Sequence, residues 1–270
     1  MNRYLVIGNP ISHSLSPELH NYWLKQNNIH AIYDKEKLTD NDLKNLFLRI
    51  KKKEINGVNI TVPFKKNVIN FLDDLSLEAK ETQSVNTIHL ENDKIVGHNT
   101  DINGFELAVR NTNFDIAGKK ILVLGAGGVV PSIIFALYKM KVSDVTLCNR
   151  TKVKAENLKN LFENLKVIDW GVIPEIDMVV NATSVGLKKS DKLGLDFSKS
   201  LNIKFFYDVI YNPKETNFLK DAKKMGVRAE NGKKMFIYQA AESFKIWHGI
   251  QPEINNEVIN LLDKWLELEF

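Results

Sequence analysis

Short apolar runs and amphipathic stretches alternate along almost the whole chain, and each period predicts its own kind of element. In the first hundred residues the runs at 4–8, 31–33, 57–61, 85–90 and 94–97 predict strands. Between the second and third of these, Leu43, Leu46, Phe47 and Ile50 fall on one helical face. Thr39 and Asp42, three apart at its start, form an acidic variant of the capping box. The stretch 85–97 reads as a hairpin turning at Asn92-Asp93. This part of the chain predicts an α/β unit.

From Lys119 onward the pattern sharpens. Residues 120–124 make a continuous apolar strand that ends in Gly125-Ala126-Gly127-Gly128. A helix follows over 133–139, then a strand at 145–148, a charged helix over 152–165 and a strand at 178–180. A later strand, 204–209, precedes a helix over 215–225 and a short strand near Val227. Strands that are apolar throughout and alternate with helices predict a parallel sheet covered on both faces, a doubly wound domain. The tail reads as two helices, 235–247 and 253–268, and in the second Val258, Leu261, Leu262 and Trp265 repeat at three- and four-residue spacing. Such a stripe must cover apolar surface, and the open face of the first domain is the candidate.

Composition narrows the classes of function. The 37 basic and 33 acidic side chains leave a formal charge of +4. The lysines are spread along the chain, whereas a nucleic-acid binder concentrates them in a stripe or tail. The densest run, Lys51-Lys52-Lys53, closes a predicted helix and reads as a solvated end favoured by the dipole. Cys148 is the single cysteine, so no internal disulfide can form and a reducing compartment is expected. Its apolar setting predicts a packed thiol rather than a nucleophile. The apolar run at the N-terminus is too short for a signal peptide and no stretch reaches the ~20 apolar residues of a membrane span, so a cytoplasmic location is expected.

The glycine loop after the 120–124 strand sits where a dinucleotide fingerprint belongs, with glycines that let backbone approach a pyrophosphate and a helix N-terminus to meet its charge. The third glycine of G-x-G-x-x-G is replaced by Val130, followed by Pro131. An incidental glycine turn is the competing explanation. The end of the next strand favours the dinucleotide. An NAD enzyme commonly places a carboxylate there for the ribose hydroxyls, whereas this chain has Asn149-Arg150-Thr151. A guanidinium grips a 2′-phosphate that a carboxylate would repel, which favours NADP over NAD.

Four polar clusters in the first hundred residues remain. They are Ser12-His13-Ser14-Leu15-Ser16-Pro17, Gly57-Val58-Asn59-Ile60-Thr61-Val62-Pro63-Phe64-Lys65, Val85-Asn86-Thr87 and Gly97-His98-Asn99-Thr100-Asp101. Singly, each reads equally well as a cap, an exposed sheet face or a turn. Together, and in order, they resemble the motifs of the shikimate dehydrogenase family. Further along, Asn181-Ala182-Thr183 with Gly186, Asp208 with Tyr211 and Pro213, and Gly232 with Met235, Gln239 and Ala240 continue the resemblance, which runs from about residue 8 to 249. The chain departs from the family at Val129-Val130-Pro131, where small residues are usual, and at Phe236, where Leu is common.

The resemblance implies two domains: residues 1–100 with 235–270 as the substrate-binding and catalytic part, and 101–234 as a Rossmann-type NADP-binding part, the C-terminal helices returning to the first. It implies that Ser14, Ser16, Thr61, Asn86 and Gln239 bind the hydroxyls and carboxylate of shikimate, with Asn59 and Tyr211 in matching motifs, and that Lys65 and Asp101 are the catalytic pair. On the cofactor side it assigns Gly125, Ala126, Gly127 and Gly128 to the pyrophosphate, Asn149, Arg150 and Thr151 to the adenosine phosphate, and Thr183, Val209 and Gly232 to the nicotinamide half. The implied activity is NADP-dependent interconversion of 3-dehydroshikimate and shikimate. An ammonium at Lys65 would stabilise the alkoxide that develops on the ketone oxygen and deliver its proton. No metal is expected, since the histidines lack ligand spacing. The expected partner is the small-molecule substrate, without nucleic acid or membrane, the chain acting as monomer or homodimer. The competing readings are a quinate/shikimate dehydrogenase of the same superfamily and a non-catalytic NADP-binding sensor.

Overall fold

A computed structural model describes residues 1–268. In chain order its first half runs β1 (Asn2–Gly8), α1 (Ser16–Gln26), β2 (Ala31–Lys37), α2 (Leu43–Lys51), β3 (Gly57–Ile60), β4 (Asp74–Leu75), α3 (Leu77–Thr82), β5 (Thr87–Glu91), β6 (Lys94–His98) and α4 (Asp101–Arg110). The second half continues with β7 (Lys120–Leu124), α5 (Val130–Lys139), β8 (Asp144–Cys148), α6 (Lys152–Glu156), β9 (Lys166–Ile168), β10 (Met178–Asn181), β11 (Phe205–Asp208), α7 (Asn217–Lys224), β12 (Arg228–Glu230), α8 (Lys233–His248) and α9 (Asn256–Leu268). These pack as two units: one of Met1–Asn103 with the chain from Ile237 onward, the other Gly104–Phe236. The chain thus passes between units within α4 and again within α8. Of the predicted return 235–270, the final two residues lie outside the described residues.

The first unit is built on a mixed sheet in the order β2-β1-β3-β5-β6-β4. β1, β2 and β3 are parallel; β5 runs antiparallel to both β3 and β6. Leu5, Ile7, Val58, Ile60 and Ile88 from the sheet meet Leu43, Leu46, Phe47 and Ile50, the predicted apolar face of α2. The capping box also forms: the Asp42 carboxylate accepts the Thr39 N–H at 2.7 Å. It closes a short 3₁₀ turn, Asp40–Asp42, that leads into α2. The hairpin turns where the polar pair predicts, with Asn92 and Asp93 both at positive φ, the backbone a two-residue hairpin loop requires.

The second unit carries a wholly parallel sheet, β12-β11-β10-β7-β8-β9. Counted within the unit this is the doubly wound order 3-2-1-4-5-6 of a Rossmann fold. β10 and β11 are buried along their whole length, as strands covered on both faces must be. Cys148 is buried at the end of β8, as its apolar setting predicts. One expectation fails. The helix read over 152–165 stops at Glu156 and gives way to a 3₁₀ turn, Asn157–Asn160. The strand β9, which sequence reading missed, then pairs with β8. Asn157, Asn160 and Asn164 are poor helix formers, and a continuous helix would leave too little chain to bring 166–168 back to the sheet edge.

Candidate active site

Lys65 comes to its position through its neighbour. The turn after β3 is anchored by Phe64, 1% exposed in the core of the first unit, and by the Phe64 N–H bonded to Thr61 O at 3.0 Å. The next residue follows beyond the carboxyl end of β3, where the Lys65 carbonyl accepts the Val85 N–H at 2.9 Å. Its ammonium donates to Asp101 Oδ2, and the two side chains are only 10% and 8% exposed. Asp101 is the first residue of α4, where the helix dipole favours a carboxylate. A pair so far removed from water persists only when its remaining valences are satisfied.

Asn86 meets the second oxygen of Asp101. Its two Nδ2 hydrogens are shared among Asp101 Oδ1 at 3.1 Å, Thr100 Oγ1 at 2.8 Å and Gln239 Oε1 at 3.4 Å. Its Oδ1 accepts the Thr100 N–H at 2.8 Å and the Thr87 hydroxyl at 3.1 Å. The structure therefore brings buried Lys65, Asp101 and Asn86 together with half-buried Gln239 in one polar cluster. Asn59 is drawn in as well, but as a brace. Its two Nδ2 hydrogens are shared among Asn86 O at 3.1 Å, Thr87 Oγ1 at 3.0 Å and Ser243 Oγ at 3.0 Å, and its Oδ1 accepts from Tyr33 at 2.7 Å. Ser14 donates to Ser16 Oγ at 3.2 Å at the start of α1. Thr61 is half-buried beside Gly8, where any Cβ would lie 2.6 Å from the Thr61 methyl.

Tyr33 and Ser243 are participants that sequence reasoning passed over, while Thr87 and Thr100 stood in the polar clusters without a role of their own. Ser243 is wholly buried and lies one helical turn beyond Gln239 on α8. An i, i+4 repeat of polar residues on an otherwise apolar helix face was the available signal.

In the second unit the residues assigned to the cofactor gather at the carboxyl ends of the parallel strands, where open α/β sheets bind ligands. Gly125 follows β7 at a φ of +110°, with space for no side chain: a Cβ would lie 2.7 Å from Ala182 O. Gly127 faces open space, and α5 begins without a side-chain cap. Exposed loop backbone leading into an uncapped helix N-terminus is the chemistry a pyrophosphate needs. Beyond β8, Asn149 Nδ2 donates to Thr151 O at 2.8 Å, holding the turn from which the exposed Arg150 projects. The residues present fit NADP.

Beyond β10 and β11 a buried network holds the remaining pieces. The Thr183 N–H and hydroxyl both donate to Asn181 Oδ1, at 3.1 and 2.7 Å. Asn181 Nδ2 donates to Asp208 Oδ1 at 3.0 Å, joined there by the Ile210 N–H at 3.1 Å. Thr216 donates to Asp208 Oδ2 at 2.6 Å. Burial pushes the Asp208 carboxyl up to about 6 even though these hydrogen bonds pull it down. Gly232 must be glycine for a steric reason: a Cβ there would lie 2.0 Å from the Val209 carbonyl oxygen. Tyr211 belongs to this unit too, its ring 4.5 Å from that of Phe236. Among the described residues, no three or more His, Cys, Asp or Glu side chains are placed to hold a metal, and no helix is long and apolar enough to cross a membrane.

These features define a class, the dinucleotide-linked dehydrogenases made of two α/β units. Family models agree segment by segment. Residues 6–88 match the shikimate dehydrogenase substrate binding domain, 106–189 the shikimate / quinate 5-dehydrogenase domain and 234–255 the shikimate 5′-dehydrogenase C-terminal domain. Shikimate dehydrogenase (NADP(+)) of Pelagibacter ubique is 55% identical over 260 residues, covering 96% of this chain and 98% of that one. The crystal structure of shikimate dehydrogenase from Aquifex aeolicus superposes with a TM-score of 0.87 at 38% identity, covering 96% of each chain. That of the Thermus thermophilus enzyme in complex with NADP(H) and shikimate does so with a TM-score of 0.84 at 32% identity, covering 94% of this chain and 95% of that one. The chain belongs to the shikimate dehydrogenase family.

Proposed function

We propose that this chain catalyses the reversible, NADP-dependent reduction of 3-dehydroshikimate to shikimate. The observation that carries the reading is the buried Lys65–Asp101 ion pair, set among Asn86, Thr100 and Gln239. A sensor that only bound NADP would have no use for a buried charge pair in the other unit. NADPH, when bound, supplies the hydride that reduces the ketone carbon. The Lys65 ammonium stabilises the negative charge that develops on the ketone oxygen and delivers a proton to it. Asp101 holds that ammonium in place and presents an acceptor to a substrate hydroxyl. Asn86 also orients Asp101, and Ser14, Ser16, Thr61, Asn86 and Gln239 take the hydroxyls and carboxylate of the substrate. Asn59 supports the pocket from behind.

In the second unit Gly125, Ala126, Gly127 and Gly128 receive the pyrophosphate on backbone amides, and Asn149, Arg150 and Thr151 hold the adenosine phosphate. Thr183, Val209 and Gly232 line the nicotinamide half, and Tyr211 is assigned to the substrate. On this assignment the unit of Met1–Asn103 with the chain from Ile237 onward is the substrate-binding part and Gly104–Phe236 the cofactor part. The single buried cysteine suits a cytoplasmic enzyme, acting as monomer or homodimer.

The test is NADPH oxidation with 3-dehydroshikimate, run beside NADH and repeated with Arg150→Asp. The wild type should turn over and prefer NADPH. The variant should lose about tenfold or more of its kcat/KM with NADPH while gaining with NADH, because a carboxylate repels the 2′-phosphate. Turnover indifferent to the 2′-phosphate in both proteins would contradict the cofactor assignment.

A further inference from the structure

The strand β2 lies at the edge of the first sheet and carries no residue of the family motifs described above. Two of its side chains nonetheless reach the serine loop, 12–16. Tyr33 is 1% exposed, and its backbone is clamped by Asn21, which donates to Tyr33 O at 2.8 Å and accepts from its N–H at 2.9 Å. Its ring lies flat on His20, centroids 4.3 Å apart and planes 5° from parallel. Burial lowers the His20 pKa to about 3, so this stacking partner is a neutral imidazole. With backbone and ring both held, the phenol oxygen has a fixed position. It donates to Asn59 Oδ1 at 2.7 Å, with the Ser16 side chain beside it. Lys35, two residues along and so on the same face of the strand, donates to Ser12 O at 2.7 Å and to Ser14 O at 3.4 Å.

The backbone of the serine loop is anchored by the Ser14 N–H to Ile11 O bond at 3.1 Å and by buried Ile11 and Leu15, but its hydroxyls have few fixed partners of their own. α1 begins without a side-chain cap, and Ser14 and Ser16 bond chiefly to each other. A loop meant to meet several polar groups of a substrate at once must be ordered beforehand, or binding must supply the ordering.

We infer that β2 is a positioning element of the substrate pocket: the Tyr33 hydroxyl and the Lys35 ammonium hold the 12–16 loop in register with Asn59, so that Ser14 and Ser16 present their hydroxyls at fixed points. This rests on the dehydrogenase reading, which assigns both serines to the substrate. Neither Tyr33 nor Lys35 touches the reacting atoms. Their removal should therefore be felt in substrate KM, not in the chemical step or in cofactor binding.

The experiment is steady-state kinetics of Tyr33→Phe and Lys35→Met, with thermal melts alongside. Tyr33→Phe deletes one oxygen, leaving the stack intact and Asn59 Oδ1 short of a donor. It should raise the KM for 3-dehydroshikimate about tenfold, the scale of one buried hydrogen bond lost. Lys35 is exposed, so Lys35→Met leaves the core untouched and should raise the same KM about threefold, the scale of an exposed charged contact. In both, the KM for NADPH should stay within about twofold of wild type and kcat within about threefold, since substrate binding alone is weakened. The effect of Tyr33→Phe should also shrink when Ser16→Ala is already present, because the two act through one contact.

A purely structural role would lower the melting temperature and the active fraction while leaving KM alone. Wild-type KM values in both variants, or a fall in kcat alone, overturn the inference. If Tyr33→Phe does not fold, Lys35→Met decides. A wild-type protein that fails to turn over 3-dehydroshikimate counts instead against the dehydrogenase reading itself.

Discussion

A histidine sealed away from water cannot readily be charged, and His20 is such a residue. It is 1% exposed, and its Nε2 has no hydrogen-bond partner among the described residues. Burial first, and the neighbouring His248 second, lower its pKa from 6.5 to about 3. Between those values the unfolded chain binds a proton that the folded chain refuses. Stability is therefore full above the unfolded value and falls as pH drops toward 3, by about 1.4 kcal/mol per pH unit for that one proton. Asp208 works the other way. Its folded pKa of about 6 lies above the ordinary 3.8, so it offsets part of the loss below pH 6. Denaturant unfolding at pH 7.5 and 5.5 should show a drop in the wild type and a shallower one in His20→Phe. An unchanged slope in the variant would remove His20 from the acid sensitivity.

The residue scale is also where sequence and structure part company. Lys65, Asp101 and Asn86 were legible because their motifs, each ambiguous alone, occur together and in the order of a known family. Tyr33 was not legible. In sequence it is one aromatic in an alternating strand, and its partner Asn59 is 26 positions away. Ser243 lies 184 positions from the same asparagine, a separation at which local pattern carries no information.

At the scale of elements, the cofactor unit depends on close passage of backbone past backbone. The start of α8 runs against the turn after β11, with the Gly232 N–H bonded to Ile210 O at 3.0 Å. Gly232→Ala would set a methyl 2.0 Å from the Val209 carbonyl, and because the obstacle is backbone, one segment must move. The expected cost is roughly 1–3 kcal/mol of stability, in the range of overpacked sites, with a raised KM for NADPH and an unchanged KM for 3-dehydroshikimate. Melting curves and cofactor titration check both; a variant with wild-type NADPH affinity would separate this contact from cofactor binding. Elements with strong periodicity or turn chemistry, such as α2 and the hairpin at Asn92-Asp93, were readable from sequence. The broken helix after Lys152 was not. Its charged residues suit a helix, while the asparagines and the demand of β9 for sheet pairing decide otherwise.

On the scale of the whole molecule, periodicity located most of the strands but could not order them. The first sheet interleaves parallel and antiparallel neighbours, β2-β1-β3-β5-β6-β4, and nothing in an apolar run states its partner. The parallel sheet was easier, because strict alternation with helices leaves few topologies. The return of the tail to the first unit came from family resemblance and from the apolar stripe of α9, where Val258 and Leu262 are buried at 1% and 0% exposure. The account as a whole rests on one assignment, that Lys65 is the group which manages charge and proton at the ketone oxygen. The most direct test is the turnover of Lys65→Ala with saturating NADPH and 3-dehydroshikimate, measured beside its affinity for NADPH. The account predicts a kcat lower by about 10²–10⁴, the range for a positioned general acid, with NADPH bound as tightly as by the wild type. Near-normal turnover in that variant would contradict it.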